Sequence, residues 1–299
     1  MSQTQQNDFS YFCKSIILCS VITILHAATT ALPAYALELQ PESPTFTAVQ
    51  TAQPDKINGE YIRGYFSDTG KLLVSPIDWD RSDWLKAGLV VGATAGLFLV
   101  DEPVRDFIKK NQSSTGDALA SAGNALGDPL YVVPPLGLLY LYGHLYDDSK
   151  ARRASLLATE SLVISGTFAW ALKTATQCHR PFTNEPPNFW YKPKANEMLN
   201  TSFPSAHTTA AFSIASVLSE EYGTNPLVPP LAYGLASLTG LSRMYDNKHW
   251  ASDVFFGAAL GYFVGKTVVR YHTVERQSAV MILPTISQQG IRLTAAYRF

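Results

Sequence analysis

Cysteine is scarce in this chain, with three among 299 residues, at positions 13, 19 and 178. Cys13 and Cys19 fall inside a segment that reads as a removable leader, so the mature chain would keep Cys178 alone and could form no internal disulfide, even in an oxidising compartment. Arg180 stands close to that thiol. A cysteine phosphatase, however, cradles phosphate with an arginine six positions after its cysteine, and here that place is held by Asn184. Cys178 is therefore expected to be a buried or bystander thiol. Excess positive charge is missing too: Lys+Arg 23 against Asp+Glu 24 gives a net charge of −1, without the basic footprint of a nucleic-acid-binding protein. Long apolar runs are also wanting in the body of the chain. The stretch from Ala87 to Val100 is 14 residues, short of the roughly 20 that span a bilayer. A mean hydropathy of +0.02 is low for several such spans. No internal repeat is visible, and no cluster of carboxylate, His or Cys metal ligands stands out.

What is present starts with an export signal. Lys14 precedes the apolar run "SIILCSVITIL", and Ala34-Tyr35-Ala36 supplies small residues around a cleavage point after Ala36. An uncleaved anchor is the alternative, but the apolar run is short for it. Residues 37–80 read as a leader rich in Pro, Thr and Gln, with a short hairpin or ordered arm in "YIRGYFSDTGKLLVSP" suggested by the Thr69-Gly70 turn signal.

Helical periodicity predicts six segments, near 83–100, 129–146, 153–173, 205–221, 226–241 and 250–269, the first capped by Ser82 or Asp83. The second contains Pro134-Pro135 and the third Glu160. A compact bundle and a tilted, polar-cored membrane protein both suit these features. A cleaved signal followed by three true spans would leave the long 174–204 connection in the cytoplasm, so an exported bundle in or on the envelope is expected. The C-terminal "SAVMILPTISQQGIRLTAAYRF" alternates like two strands about a Gln-Gln-Gly turn and is expected to form a ribbon covering the bundle.

Chemistry concentrates at helix ends. His249 and Asp253 are four apart, so on a helix they share a face, and a carboxylate there can hold one imidazole nitrogen and leave the other free. A hydrophilic collar on a helix terminus would look the same. Upstream stand Lys173 and Arg180-Pro181, then Pro204-Ser205-Ala206-His207 at a helix start, then Arg243. Three cations can neutralise the oxygens of a phosphoryl group. Free N–H groups at the start of a helix add to that cradle. One histidine held by a carboxylate can attack phosphorus, and a second can protonate the departing oxygen.

Lys173-x6-Arg180-Pro181, Pro204-Ser205-Ala206-His207 and Ser242-Arg243-x5-His249-x3-Asp253 resemble the three-part signature of the type 2 phosphatidic acid phosphatases. That superfamily, PAP2, also holds bacterial nonspecific acid phosphatases and vanadium haloperoxidases. The resemblance covers roughly residues 80–270, and its third motif is the most specific part. Ala206 departs from the family's usual Gly, a change that keeps the backbone N–H but adds a methyl group.

The resemblance implies an all-α fold, a six-helix bundle over 81–272, to which the sequence adds the C-terminal β-hairpin over 273–299. It implies phosphate held by Lys173, Arg180, Ser205, Ala206 and Arg243. His249 would be the nucleophile that forms a phosphohistidine, Asp253 its orienting carboxylate, and His207 the general acid and then base. No cofactor or metal is implied, and vanadate is expected to inhibit. The expected partner is a phosphorylated lipid or small phosphate ester, at a membrane surface or in the periplasm of a bacterium, with no nucleic acid. A haloperoxidase holding vanadate on His249 and a non-catalytic envelope anchor are the alternatives; haloperoxidases are generally longer chains, and a full catalytic set argues against an anchor. His179, His144 and His272 are read as loop or solvent-facing residues, Glu160 as a buried satisfied carboxylate or part of a polar network near the site, and Tyr245 and Trp250 as packing.

Overall fold

The described residues hold nine α-helices, two short 3₁₀ helices (Ser75–Asp78 and Pro181–Thr183) and one two-stranded ribbon. The computed structural model describes residues 55–184, 201–277, 280–287 and 290–297. The expected export signal and leader, up to residue 54, and the 185–200 part of the long connection lie outside them. The helices are α1 (Gly59–Val74), α2 (Arg81–Phe98), α3 (Asp101–Lys110), α4 (Ser114–Ala125), α5 (Pro129–Leu145), α6 (Ser149–Thr176), α7 (Ala206–Tyr222), α8 (Val228–Tyr245) and α9 (Ala251–Gln277). Six begin behind an Asn, Asp or Ser whose side chain takes a first-turn N–H: Asn58, Asp80, Ser113, Asp128, Asp148 and Ser205.

The expected six-helix layout is corrected. Helices α2 and α5 to α9 occupy the six expected places within several residues, but α1, α3 and α4 are additional. The hairpin expected near residues 61–76 is helix α1: Asn58 accepts from the Tyr61 N–H at 2.8 Å, and Gly70 continues the helix instead of turning it. The cap of α2 is Asp80, not Ser82 or Asp83. The terminal ribbon does not start at 273, because α9 runs on to Gln277. Strands β1 (Val280–Ser287) and β2 (Gly290–Tyr297) pair antiparallel with Val280 opposite Tyr297 and Ser287 opposite Gly290.

Helix α9 is the axis of the bundle, packed on α7, α6, α2 and α8, while α7 also packs on α8 and α6, and α4 lies on α8. The glycines of α9 explain how closely α7 approaches. A Cβ at Gly257, Gly261 or Gly265 would lie 2.8, 2.2 and 2.6 Å from the carbonyl oxygens of Ser205, Thr209 and Ser213. Three glycines at four-residue spacing thus face three carbonyls at the same spacing, and the two backbones touch along a seam. That seam fixes the start of α7 against the first turn of α9. Around it, Leu136, Leu157, Ile164, Val217, Val264 and Val268 form the apolar core. Outward, α2, α5 and α8 present large apolar side chains, with Leu85, Leu138 and Leu231 each more than 60% exposed.

Candidate active site

Helix α6 ends at Gln177, which takes a left-handed conformation (φ 52°) and turns the chain sharply. Residues 178–180 then run beside 201–202, tied by the Ser202 N–H to the Cys178 carbonyl at 2.7 Å and a bridge between His179 and Thr201. Lys173, in the last turn of α6, donates its ammonium to the carbonyls of Thr201 at 3.0 Å and Ser202 at 2.7 Å. Arg180 donates Nε to the Thr201 carbonyl at 3.3 Å. Two of the three cations are thereby fixed to the segment that leads into α7.

Ser205 caps α7 and is fully buried. Its Oγ accepts from the Thr208 hydroxyl at 2.8 Å, and its N–H donates to the Asp253 carbonyl at 3.1 Å. A hydroxyl has one proton to give, and that of Ser205 is its one donor for an anion. Ala206 and His207 follow in the first turn, where helical geometry leaves N–H groups without intrahelical acceptors.

At the far end of α8, the carbonyl of Arg243 accepts the N–H groups of Lys248 at 3.0 Å and His249 at 3.2 Å. Asn247 in the left-handed region (φ 56°) makes this tight return possible. It carries the chain from Arg243 to His249 and straight into α9, so that Asp253 sits in the first turn of that helix. The Arg243 guanidinium donates Nη1 to Asn124 Oδ1 at 2.5 Å, while its buried Nε has no hydrogen-bond partner.

His249 and Asp253 are both buried and stand side by side, as the spacing predicted, but their contact is long. His249 Nδ1 lies 3.4 Å from Asp253 Oδ2, long for a hydrogen bond. Ser202 fills the angle, donating its hydroxyl to the same Asp253 oxygen and standing 3.3 Å from His249 Nδ1. Asp253 Oδ2 also accepts the Trp250 N–H at 2.8 Å.

The charges act on one another as a group. Burial first, and then the fields of Lys173, Arg180 and Arg243, hold His249 well below the ordinary imidazole range. His207 is pushed down to about 4 by burial and by Arg243, Arg180 and Lys173 together, with Asp128 acting the other way. Asp253 is raised to about 7 by burial, opposed by the Ser202 and Trp250 donors and the Lys173 charge. The site thus disfavours the charged form of both imidazoles. All the residues singled out in the three sequence motifs meet here, on α6, α7, α8 and α9 and the turns at their ends.

Three residues of the site were not read from the sequence. Ser202 has a signal only in hindsight, three places before Ser205. Asn124 lies in α4, read as connection; its Oδ1 accepts from Arg243 and Ser242, and its Nδ2 donates to Asp246 at 2.5 Å. Asp101, at the start of α3, accepts from both the N–H and the hydroxyl of Ser252 and so anchors the first turn of α9.

The other expectations sort simply. Cys178 is buried, and burial pushes its thiol up. Trp250 is buried and donates Nε1 to the His179 carbonyl at 2.8 Å, while Tyr245 binds Ser113 and Asp117 across α4. His144 is exposed. His272 does not face solvent freely: its side chain is 12% exposed and pairs with Asp68 and Glu160. Glu160 belongs to that cluster and not to a network at the phosphate site.

Residues 154–277 match the family model of the PAP2 superfamily. A 66-residue stretch, 22% of this chain, is 48% identical to the lipid A 1-phosphatase of Porphyromonas gingivalis, and the chain spans 15% of that protein's length. Among solved structures, LpxE of Aquifex aeolicus aligns over 57% of this chain and 96% of its own, at 23% identity and a TM-score of 0.46. The transmembrane PAP2-type phosphatidylglycerolphosphate phosphatase of Bacillus subtilis aligns over 72% and 95%, at 16% identity and a TM-score of 0.48.

Proposed function

We propose, from the match of residues 154–277 to the family model of the PAP2 superfamily, that the chain is a phosphatase that hydrolyses phosphate monoesters or diphosphates through a phosphohistidine on His249. One observation carries the reading: a buried imidazole within the field of three cations, one of which, Arg243, keeps a buried Nε–H with no protein partner. Such a donor is costly to leave unpaired unless an anion meets it.

The steps follow from the groups. Lys173, Arg180 and Arg243, with Ser205 and the amides of Ala206 and His207, hold the non-bridging oxygens. Asp253 and Ser202 engage Nδ1 of His249, which leaves Nε2 as the nucleophilic nitrogen. Nε2 attacks phosphorus, the P–O ester bond breaks, and the departing oxygen takes a proton from His207. Water then attacks the phosphohistidine, His207 accepts its proton, the P–N bond breaks, and inorganic phosphate leaves. The dianion also resolves the neutral state of His207. Its negative charge offsets the cations that depress this imidazole and allows it to hold a proton when substrate is bound.

The setting we propose is the bacterial envelope, after export and cleavage behind Ala36, with residues 81–272 as the catalytic domain. Among the described residues α6 is long and apolar enough to cross a membrane, and the bent pair α2–α3 passes the same test when taken together. With the exposed leucines of α2, α5 and α8, this supports a membrane-associated enzyme and a lipid-linked substrate such as a phosphorylated lipid. The shared stretch with a lipid A 1-phosphatase points the same way. Phosphate release across a panel of lipid A, phosphatidate, prenyl diphosphate and soluble aryl phosphates tests this, with His249→Ala as control. Release equal in the wild type and that variant on every substrate would sink it.

A further inference from the structure

Asp68 on α1, Glu160 on α6 and His272 on α9 meet in the interior, and each offers a ligand atom within 4.8 Å of the other two. Asp68 and Glu160 are 2% and 0% exposed. His272 Nε2 lies 3.2 Å from Glu160 Oε2 and 3.2 Å from Asp68 Oδ2. It has one hydrogen to donate along Nε2, and the hydrogen bond goes to Glu160. Asp68 Oδ2 and Glu160 Oε1 are left buried without a hydrogen-bond partner. Lys71 pairs with the other Asp68 oxygen, Oδ1, at 3.0 Å.

Glu160 Oε1, buried without a partner, and Asp68 Oδ2, buried with no hydrogen bond beyond its ion pair to His272, form a stronger pointer than acidity alone. Two ligands bound at about 2.1 Å to one ion, at octahedral or tetrahedral angles, lie roughly 3.0–3.4 Å apart. The observed 3.2 Å separations fall in that interval. Two oxygens and one imidazole nitrogen are the mixed donor set of a first-row divalent cation such as Zn²⁺ or Mn²⁺, less that of Ca²⁺ or Mg²⁺, which take oxygen ligands. Glu160 Oε1 faces Gly64, where a Cβ would stand 3.4 Å from it.

We propose that Asp68, Glu160 and His272 form a structural binding site for a first-row divalent cation that ties α1 to α6 and α9. Along α6, Glu160 is thirteen residues from Lys173, roughly 20 Å at 1.5 Å per residue. The ion therefore takes no part in phosphoryl chemistry. Its role is to dock α1, which has little other packing on the bundle, and it stabilises the native state by mass action.

The test uses the full chain purified in detergent, stripped with a chelator, and titrated with Co²⁺, then separately with Zn²⁺. One equivalent of Co²⁺ should bind with visible d–d absorption, be displaced by Zn²⁺, and raise the melting temperature. His272→Gln should weaken Zn²⁺ binding at least 100-fold yet keep phosphate release from an aryl phosphate. Because the first readout needs only the wild-type chain, it stands even if the variant misfolds. Absence of saturable one-equivalent binding by the stripped wild type would overturn the site, as would unchanged affinity in a folded His272→Gln protein. Neither result bears on the phosphatase reading, which phosphate release measures separately.

Discussion

Truncating Asn124 to alanine removes the acceptor that holds Arg243. In the native protein Asn124 Oδ1 receives Arg243 Nη1 at 2.5 Å and the Ser242 hydroxyl at 3.2 Å, while its amide donates to Asp246. Arg243 is 9% exposed, so water cannot readily replace the lost carbonyl. A hydrogen bond to a charged group is worth about 1.5–3 kcal/mol. If that energy serves to aim the guanidinium at the transferring phosphoryl, kcat/KM falls by about 10- to 150-fold at 1.4 kcal/mol per decade. Asn124→Asp should do worse on KM, since a carboxylate there faces Asp246 and neutralises the cation the phosphate needs. The assay is steady-state hydrolysis of an aryl phosphate, with the melting temperature recorded for each variant. A cycle with Arg243→Ala separates positioning from general damage, because the second mutation should add little once Arg243 is gone. An Asn124→Ala enzyme that keeps kcat/KM within twofold of wild type, or losses that add fully in the cycle, would refute the reasoning.

Four further outcomes are expected. His207→Ala should lose far more activity on alkyl than on aryl phosphates, because aryl leaving groups need little protonation; equal losses on both would remove His207 from the acid role. Vanadate should inhibit competitively as a mimic of the transferring phosphoryl. A chelator should leave turnover within about twofold at low temperature, and loss restored only by a divalent metal would contradict the mechanism. With His207 held near 4 in the free enzyme, its protonated fraction at pH 6 is about 1%. An anion that returned it to about 6.5 would raise that to roughly three quarters, so sulfate binding should take up about 0.7 proton per site. Titration calorimetry in two buffers of different ionisation enthalpy measures this, and no uptake at pH 6 would count against the electrostatic account.

Much of the site was legible because its chemistry is local in sequence. His249 and Asp253 are four places apart across the start of α9, and Pro204-Ser205-Ala206-His207 names a helix start by its cap alone. The supporting shell was not legible, since its contacts are long-range. Ser202 reaches Asp253 across 51 positions and Asn124 reaches Arg243 across 119, distances that periodicity does not carry. In the fold, α1 was misread because Thr69-Gly70 is a turn signal locally, whereas Asn58 and burial of Tyr61 and Asp68 hold the segment as a helix. Helix α3 is ten residues long and mostly charged, and α4 is rich in Ala, Gly and Ser, so neither carries a long apolar stripe. They are settled by packing against α8.

The covalent intermediate is the most direct test of the central claim. Wild-type enzyme mixed with a substrate labelled in its phosphoryl group, quenched in alkali within milliseconds, should carry label on one histidine, stable to base and released by acid. Peptide mapping should place it on His249, and His249→Ala should show neither label nor turnover. Label on another residue, or turnover by His249→Ala near the wild-type rate, would contradict the account.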